Sequence, residues 1–357
     1  MAVITILGAG MMGSALSVPL VDRGHEVRLV GTPLDRAIID QLLAGGEHLT
    51  LRHPIPAAVR PYQVEQIGEA MEGAEVVALG VSSAGIGWVI EAMRPHLRPG
   101  QLMTMITKGL VYDGESLAVL PDVVRDGLPP ELVGQIHPAA VAGPCIAGEL
   151  LRRVPSCVVL TGRDEPSLER LRDLLHTDYY HLFTSTDVVG VEACAALKNA
   201  YAMGVAFGAG IHAARGGEPG SIAMHNYESA VFAQAVFEMS RLVVAMGGDA
   251  RAAAELPGAG DLDVTNNGGR TGRFGRWLGR GLSRDEAVEK MEGATLECLE
   301  IIAVMREASR GLVAAGRLAA GELPLLDHMA EVVLDGAAVN MPFARFFGRG
   351  RAVGNGA

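Results

Sequence analysis

Lysine is scarce in this chain of 357 residues, because only three of its 30 basic residues are lysines and the others are arginines. Arginine therefore serves wherever a positive charge merely has to face water. A lysine that is kept is a candidate for a site that needs a compact ammonium group able to exchange a proton, which guanidinium cannot do. The three lysines are Lys108, Lys198 and Lys290.

Net positive charge and aromatic side chains are also lacking. The formal net charge of −11 argues against nucleic acids and anionic membranes as partners. An anionic substrate would then need a local cluster of cations. Aromatic residues make up 4% of the chain and hydrophobic residues 49%, so the cores must consist of Ala, Val, Leu and Met. The length predicts two domains.

Cysteines are few, and uninterrupted apolar runs are missing. The four cysteines show no metal-ligand spacing, so we expect reduced core thiols of a cytoplasmic protein and no metal site. The apolar N-terminus lacks a basic flank and is interrupted by glycines, which argues against a signal peptide. Because every other apolar run is interrupted in the same way, we expect no membrane span.

A GxGxxG pattern follows the first predicted strand. Residues 2–7 (AVITIL) predict a buried parallel strand, and residues 8–13 (GAGMMG) then open a helix. In such a turn the first glycine permits the tight bend, the second lets a pyrophosphate approach, and the third lets the helix pack closely. A glycine-rich turn without a ligand is the alternative. The residues predicted to bind the cofactor here are Gly8, Gly10, Met11, Met12 and Gly13.

The end of the second predicted strand, residues 26–30, lacks the acid that usually binds the ribose hydroxyls in NAD-specific folds. Gly31 stands in its place, and Asp35 comes late. Thr32 and Arg36 could bind the 2′-phosphate of NADP. Both NAD and NADP therefore stay open, and we expect NADPH to be accepted without strong discrimination.

Strands and helices alternate up to residue 187, and only helices are predicted beyond it. This order predicts an α/β fold, with a doubly wound sheet in residues 1–187, an all-α domain in residues 188–347 and a flexible tail in residues 348–357. Ligands bind such sheets at the carboxyl ends of strands. Lys108 directly follows the predicted strand 101–107, although a solvated loop lysine is the alternative.

One predicted helix, residues 191–210, is apolar nearly all round, as expected of a helix in the middle of a domain. Lys198 lies inside it, followed by Asn199. A proton-exchanging lysine and a paired structural lysine are both compatible with this position.

A polar, glycine-dense segment occupies residues 257–273. Asp261 and Thr265 would share one face if the segment begins a helix. Arg270 follows two glycines, where its planar group could bind an oxyanion. A surface loop with a salt bridge is the alternative.

Taken together, these motifs resemble the soluble NAD(P)-dependent glycerol-3-phosphate dehydrogenases. The resemblance implies a Rossmann-type N-terminal domain, an all-helical C-terminal domain and an active site between them. The matching stretches occur in the family's order and cover nearly the whole chain: ILGAGMMGSAL, ITKGL, AGPCIAGEL, ACAALKNAYAMG, EMSRLVVAMGG, GAGDLDVTNNGGR and RFGRWLGRG.

The resemblance also implies roles for single residues. Lys198 would transfer the proton, Asp261 and Thr265 would orient the lysine and the substrate, and Arg270 would bind the substrate phosphate. The implied sets are Lys108, Lys198, Asp261 and Thr265 for catalysis, Lys108, Asn199, Arg270 and Thr271 for the substrate, and Lys108, Ala147 and Arg270 for the cofactor.

Several positions depart from the family pattern, among them Cys145, where the family has a serine, and the segment 213–225, which is more polar than expected. Three further departures bear on the substrate pocket. Thr271 replaces an asparagine, Glu228 a basic residue and Gln234 an arginine, so the pocket would carry less positive charge than is usual. We therefore expect weak binding of glycerol 3-phosphate and keep a larger or differently charged polyol phosphate as an alternative.

The first interpretation is an enzyme that interconverts sn-glycerol 3-phosphate and dihydroxyacetone phosphate with NAD or NADP. The alternatives are the same chemistry on another phosphorylated or anionic polyol or keto compound, and a catalytically silent dinucleotide sensor. The expected partner is a small phosphorylated substrate, and the expected assembly is a homodimer.

Overall fold

The structure, a computed structural model, describes residues 1–218 and 224–348. The chain forms two compact units. The first contains Met1–Gly109 and Val119–Val188, and the second contains Leu110–Ala118 and the described residues from Val189 onwards. The predicted flexible tail, 348–357, lies outside the described residues except for Gly348. The predicted domain boundary between residues 187 and 188 stays a prediction.

A sheet of eight strands forms the centre of the first unit. Its strands are β1 (Val3–Leu7), β2 (Glu26–Val30), β3 (Arg60–Tyr62), β4 (Val76–Leu79), β5 (Leu102–Met105), β8 (Pro138–Ala142), β9 (Ser156–Thr161) and β10 (Tyr180–Ser185). The order across the sheet is β10-β9-β8-β5-β4-β1-β2-β3. Neighbouring strands are parallel except for β8 and β9. This is the predicted doubly wound, Rossmann-type sheet.

Both faces of the sheet are buried, as a parallel sheet requires. In β4, Val76 and Ala78 face one hydrophobic cluster, and Val77 and Leu79 face the other. This alternation explains why the central strand β4 is a continuous apolar run. The helices of this unit are α1 (Met11–Asp22), α2 (Arg36–Leu43), α3 (Ile67–Met71), α4 (Ile86–Met93), α5 (Leu120–Asp126), α6 (Ala147–Leu151) and α7 (Glu165–Leu175).

The second unit is mostly helical. Its helices are α8 (Val188–Ala214), α9 (His225–Met246), α10 (Asp261–Gly268), α11 (Arg270–Gly279), α12 (Arg284–Glu289), α13 (Glu297–Ala314) and α14 (Pro324–Leu334). A two-stranded sheet of β6 (Leu110–Tyr112) and β7 (Leu117–Val119) was not predicted. Because β6 lies against α13, the chain enters the second unit once before α8.

Helix α11 packs directly on the backbone of α8. A Cβ atom at Gly275 would lie 2.3 Å from the carbonyl oxygen of Met203, and one at Gly279 would lie 2.3 Å from that of Phe207. Only glycine allows this approach. The two glycines thus explain the RFGRWLGRG stretch and fix α11, which begins at Arg270, beside the helix that carries Lys198.

Helix α9 is long and apolar enough to cross a membrane by length and composition, a test that core helices also pass, and 44% of its most apolar window is buried. Its Glu238 is fully buried and accepts hydrogen bonds from the side chains of Tyr201 and Gln234 and from the backbone N–H groups of Leu325 and Leu326. Burial raises the pKa of Glu238 to about 7. These bonds tie α9 to α8 and to the start of α14, which favours a core helix.

Candidate active site

The glycine turn between β1 and α1 lies where the strand order reverses, which is the usual ligand site of this fold. A Cβ atom at Gly8 would lie 2.7 Å from the carbonyl carbon of Gly80, and one at Gly13 would lie 2.1 Å from the carbonyl oxygen of Gly8. Packing therefore requires these two glycines. A Cβ atom at Gly10 would come no closer than 4.0 Å to a protein atom beyond its chain neighbours. Gly10 thus leaves open space that a ligand can occupy.

The start of α1 is suited to a phosphate group. The helix begins at Met11, has no side-chain cap and has no acidic residue in its first turn. The N–H groups of Met11 and Met12 are among those that have no partner within a helix, and they carry the positive end of the helix dipole. The turn therefore fits the pyrophosphate of a dinucleotide.

A carboxylate lies beside this turn at a position that sequence analysis gave little weight. Asp35 Oδ2 accepts hydrogen bonds from the Thr32 N–H at 2.9 Å, the Thr32 hydroxyl at 2.8 Å and the Ala9 N–H at 3.2 Å. Arg36 forms an exposed ion pair with Glu65. The two residues predicted for a 2′-phosphate, Thr32 and Arg36, therefore each bind a carboxylate in this structure.

Replacing Asp35 by asparagine is expected to favour NADPH. The affinity for NADPH relative to NADH should rise at least about tenfold, or ~1.4 kcal/mol, because the Thr32 donors would no longer face a competing anion. Fluorescence titration with the two reduced nucleotides measures the ratio. Asp40→Asn is the matched control, since Asp40 is exposed on α2, the helix that directly follows Asp35, and bonds to Gln63. A ratio unchanged by Asp35→Asn would place this carboxylate away from the ribose.

Lys108 and Ala147 lie at the same edge of the sheet. Lys108 follows β5, and its ammonium donates a 3.4 Å hydrogen bond to the carbonyl of Gly143, which follows β8. Ala147 begins α6 and is 7% exposed. Because β1, β4, β5 and β8 are parallel, their carboxyl ends meet at the edge that carries the glycine turn.

Lys198 is buried in the second unit and is held by two polar side chains. Its side chain is 10% exposed, and its Nζ lies 3.0 Å from Asp261 Oδ1 and 2.7 Å from Thr265 Oγ1. Asp261 and Thr265 are one turn apart because the segment around them does begin a helix, α10. Burying an ion pair costs desolvation energy that the attraction between the charges seldom exceeds. A buried pair of this kind therefore points to chemistry rather than to stability.

Three further predicted residues lie in the same unit. Asn199 donates from Nδ2 to Glu297 Oε2 at 2.9 Å, a partner that no sequence signal indicated. Thr271 is buried against Cys298, whose pKa burial raises to about 12. The guanidinium of Arg270, a half-buried residue at the start of α11, has no hydrogen bond or ion pair with any residue in 1–218 or 224–348. A partly buried guanidinium without a protein partner is available for an anionic ligand.

Two residues that depart from the family pattern, Gln234 and Glu228, interact with neighbouring residues of the second unit. Gln234 bonds to Glu238 and accepts a hydrogen bond from the Phe347 N–H at 2.8 Å. Glu228 is partly buried, its pKa is raised by that burial, and Arg276 lies near enough to oppose the shift. Local packing in the second unit thus accounts for both side chains without a substrate.

A doubly wound sheet with an open glycine turn, together with a helical unit that carries a buried lysine–carboxylate pair, defines a nicotinamide-dependent oxidoreductase. Comparison with known proteins gives the family. The model of the NAD-dependent glycerol-3-phosphate dehydrogenase N-terminus matches residues 3–167, and that of the C-terminus matches residues 187–343. The chain belongs to the NAD-dependent glycerol-3-phosphate dehydrogenase family, whose members are oxidoreductases that act on a CH–OH group.

Relatives with names and solved structures agree with this family. The chain is 36% identical over 337 residues to an NADP+-dependent glycerol-3-phosphate dehydrogenase of Archaeoglobus fulgidus, covering 94% of this chain and 96% of the relative. It is 30% identical to a glycerol-3-phosphate dehydrogenase (NAD(P)+) of Desulfitobacterium hafniense, covering 98% and 92%. The crystal structure of glycerol-3-phosphate dehydrogenase from Coxiella burnetii matches with a TM-score of 0.78 at 27% identity, covering 94% and 95%.

Proposed function

We propose that this protein interconverts sn-glycerol 3-phosphate and dihydroxyacetone phosphate with NAD or NADP. The observation that carries the proposal is the Lys198 ammonium, buried between Asp261 and Thr265 in a chain that otherwise uses lysine only twice. The named relatives support the choice of substrate, since both act on glycerol 3-phosphate by their names.

The proposed chemistry divides between the cofactor and the helical unit. When bound, the nicotinamide accepts or supplies a hydride at its C4 atom, and the substrate exchanges that hydride at C2. Lys198 Nζ gives a proton to the C2 oxygen during reduction and removes it during oxidation. A positioned acid of this kind contributes roughly 10²- to 10⁴-fold in rate.

Asp261 and Thr265 have separate parts in this proposal. Asp261 Oδ1 holds the ammonium in place and balances its charge at 3.0 Å. The Thr265 oxygen accepts a hydrogen bond from the same ammonium, so it fixes the direction in which the remaining N–H groups point. Together they orient the proton donor before the substrate binds, which lowers the entropic part of the barrier.

We propose that the other site residues bind the two ligands. The glycine turn, with Met11 and Met12, holds the pyrophosphate, and Lys108 and Ala147 flank the nicotinamide end. Lys108, Asn199 and Thr271 contact the substrate, and Arg270 binds its phosphate with parallel hydrogen bonds, for which the planar guanidinium is suited.

Arg270→Ala is expected to weaken the apparent affinity for dihydroxyacetone phosphate by roughly 10- to 150-fold, the range for losing a charge-assisted hydrogen bond. The affinity for NADH should not change. Steady-state kinetics and nucleotide titration measure the two quantities. Arg273→Ala is the control, because Arg273 lies one turn away on the same helix and is exposed. Equal affinities for dihydroxyacetone phosphate in wild type and Arg270→Ala would remove the phosphate role.

A panel of phosphorylated and unphosphorylated ketones and polyols, tested with NADH and NADPH, distinguishes the proposed substrate from other polyol phosphates. Turnover of a larger polyol phosphate above that of dihydroxyacetone phosphate would assign the enzyme a different substrate.

We also propose a cytoplasmic homodimer. All four cysteines are free thiols, which supports a reducing compartment. Light scattering during size exclusion measures the oligomeric state.

A further inference from the structure

His48 is a fully buried side chain that belongs to no motif and has no part in the function proposed above. It lies in the loop that follows α2, some forty residues after the glycine turn. Its Nε2 atom is 2.9 Å from the carbonyl oxygen of Ala9, the residue between the first two glycines. The loop after α2 therefore contacts the glycine turn directly.

The partners of the imidazole determine its tautomer. Nδ1 receives the backbone N–H groups of Thr50 at 3.2 Å and of Leu51 at 3.1 Å, so it must be the acceptor. The proton of a neutral imidazole then lies on Nε2, which donates to the Ala9 carbonyl. The Ser14 hydroxyl, 3.2 Å away, donates to the same oxygen.

Fixing this carbonyl also fixes the next N–H group. The peptide that joins Ala9 to Gly10 is planar and trans, so its carbonyl and its N–H group point in opposite directions. With the oxygen bound to His48, the Gly10 N–H points away from the imidazole. This N–H has no hydrogen-bond partner in the described parts of the chain. Gly10 is also the residue that has open space beside it.

We propose that His48 is a positioning residue for the dinucleotide. It holds the peptide between Ala9 and Gly10 in the one orientation that presents the Gly10 N–H to a pyrophosphate oxygen. The inference rests on the proposed use of this turn for NAD or NADP.

Two substitutions test the roles of the two imidazole nitrogens, Nδ1 and Nε2, separately. His48→Asn keeps an acceptor near Nδ1 for Thr50 and Leu51 but does not reach Ala9, whereas His48→Gln keeps a donor near Nε2. The dissociation constant of NADH, titrated by fluorescence, should rise about 3- to 10-fold in His48→Asn and stay within about twofold in His48→Gln, as expected for one hydrogen bond. His53→Asn is the matched control, because His53 is in the same loop and its imidazole bonds to the carbonyl of Pro54 rather than to the glycine turn.

Melting temperatures of the same variants exclude a merely structural role. Equal losses of NADH affinity in His48→Asn and His48→Gln, or an affinity unchanged in both, would overturn the inference. The inference would also be overturned if titration of His48→Asn to saturation shows that only a fraction of the protein binds NADH, because the loss of affinity would then arise from unfolded protein. If wild type itself binds neither NADH nor NADPH, the proposed function fails rather than the role of His48.

Discussion

Lys198→Met is expected to lower turnover at least about a hundredfold, because the reaction would lose its positioned proton donor. The dissociation constant of NADH should stay near the wild-type value, since the polar contacts of Lys198 with Asp261 and Thr265 lie in the helical unit. Steady-state kinetics with dihydroxyacetone phosphate, together with fluorescence titration of NADH, measure both quantities.

The variant Lys198→Arg distinguishes a proton-transfer role of Lys198 from a purely electrostatic role. The guanidinium keeps the positive charge beside Asp261 but does not give up its proton, so turnover should stay close to that of Lys198→Met. Near-normal turnover in the arginine variant would leave Lys198 only an electrostatic role.

Protein stability must be controlled in this experiment. Removing one member of a buried ion pair leaves the other charged and desolvated, which typically costs about 3–5 kcal/mol. The double variant Lys198→Met with Asp261→Asn removes both charges, and thermal unfolding shows which variants are folded. A folded double variant with wild-type turnover would contradict the proposed acid.

Gly10→Val is expected to weaken NADH binding at least about a hundredfold, or ~2.7 kcal/mol, because the side chain would fill the space that the pyrophosphate needs. The fold should tolerate the change, since a Cβ atom there meets no protein atom closer than 4.0 Å beyond its chain neighbours. Gly13→Ala should instead destabilise the protein, because its Cβ would lie 2.1 Å from the Gly8 carbonyl oxygen.

Gly87→Val is the matched control for Gly10→Val, because a Cβ atom at the exposed Gly87 also meets nothing within 4 Å. Thermal unfolding and NADH titration of the three variants separate loss of binding from loss of structure. Retained NADH affinity in a folded Gly10→Val variant would place the dinucleotide elsewhere.

The central strands could be predicted because local sequence determines them. The predicted strand 26–30 has the bounds of β2, and the predicted strand 2–7 contains β1. Strand β1 is a β-branched, largely buried run, and such a run indicates a central strand without information from elsewhere in the chain. The edge strand β3 was missed because it is only three residues long and contains Pro61, a residue disfavoured in strands. The sheet of β6 and β7 was missed because α13, far along the chain, supports it.

The segment 257–273 shows what glycine content does not reveal. Its glycines suggested a loop with at most a helical start, but the structure contains the two helices α10 and α11. A Cβ atom at Gly272 would lie 2.2 Å from the Asn266 carbonyl oxygen, so this glycine serves close packing between the helices. Helix content here follows from tertiary contact, which single-sequence patterns do not record.

The candidate site was predictable in its motifs but not in its partners. The proximity of Lys198, Asp261 and Thr265 follows from a helical spacing and from the family resemblance. Asp35 and Glu297 gave no comparable signal, because each forms a hydrogen bond to a residue that is distant in the sequence. Such bonds depend on the path of the loops rather than on any local pattern.

The most direct test of the account is the loss of NADH absorbance when the purified protein meets dihydroxyacetone phosphate or dihydroxyacetone. We predict rapid oxidation of NADH with the phosphorylated ketone and little with the unphosphorylated one, because only the former has a phosphate group that Arg270 can bind. Equal rates with both ketones, or no oxidation of either NADH or NADPH with dihydroxyacetone phosphate, would contradict the assignment of this chain as a glycerol-3-phosphate dehydrogenase.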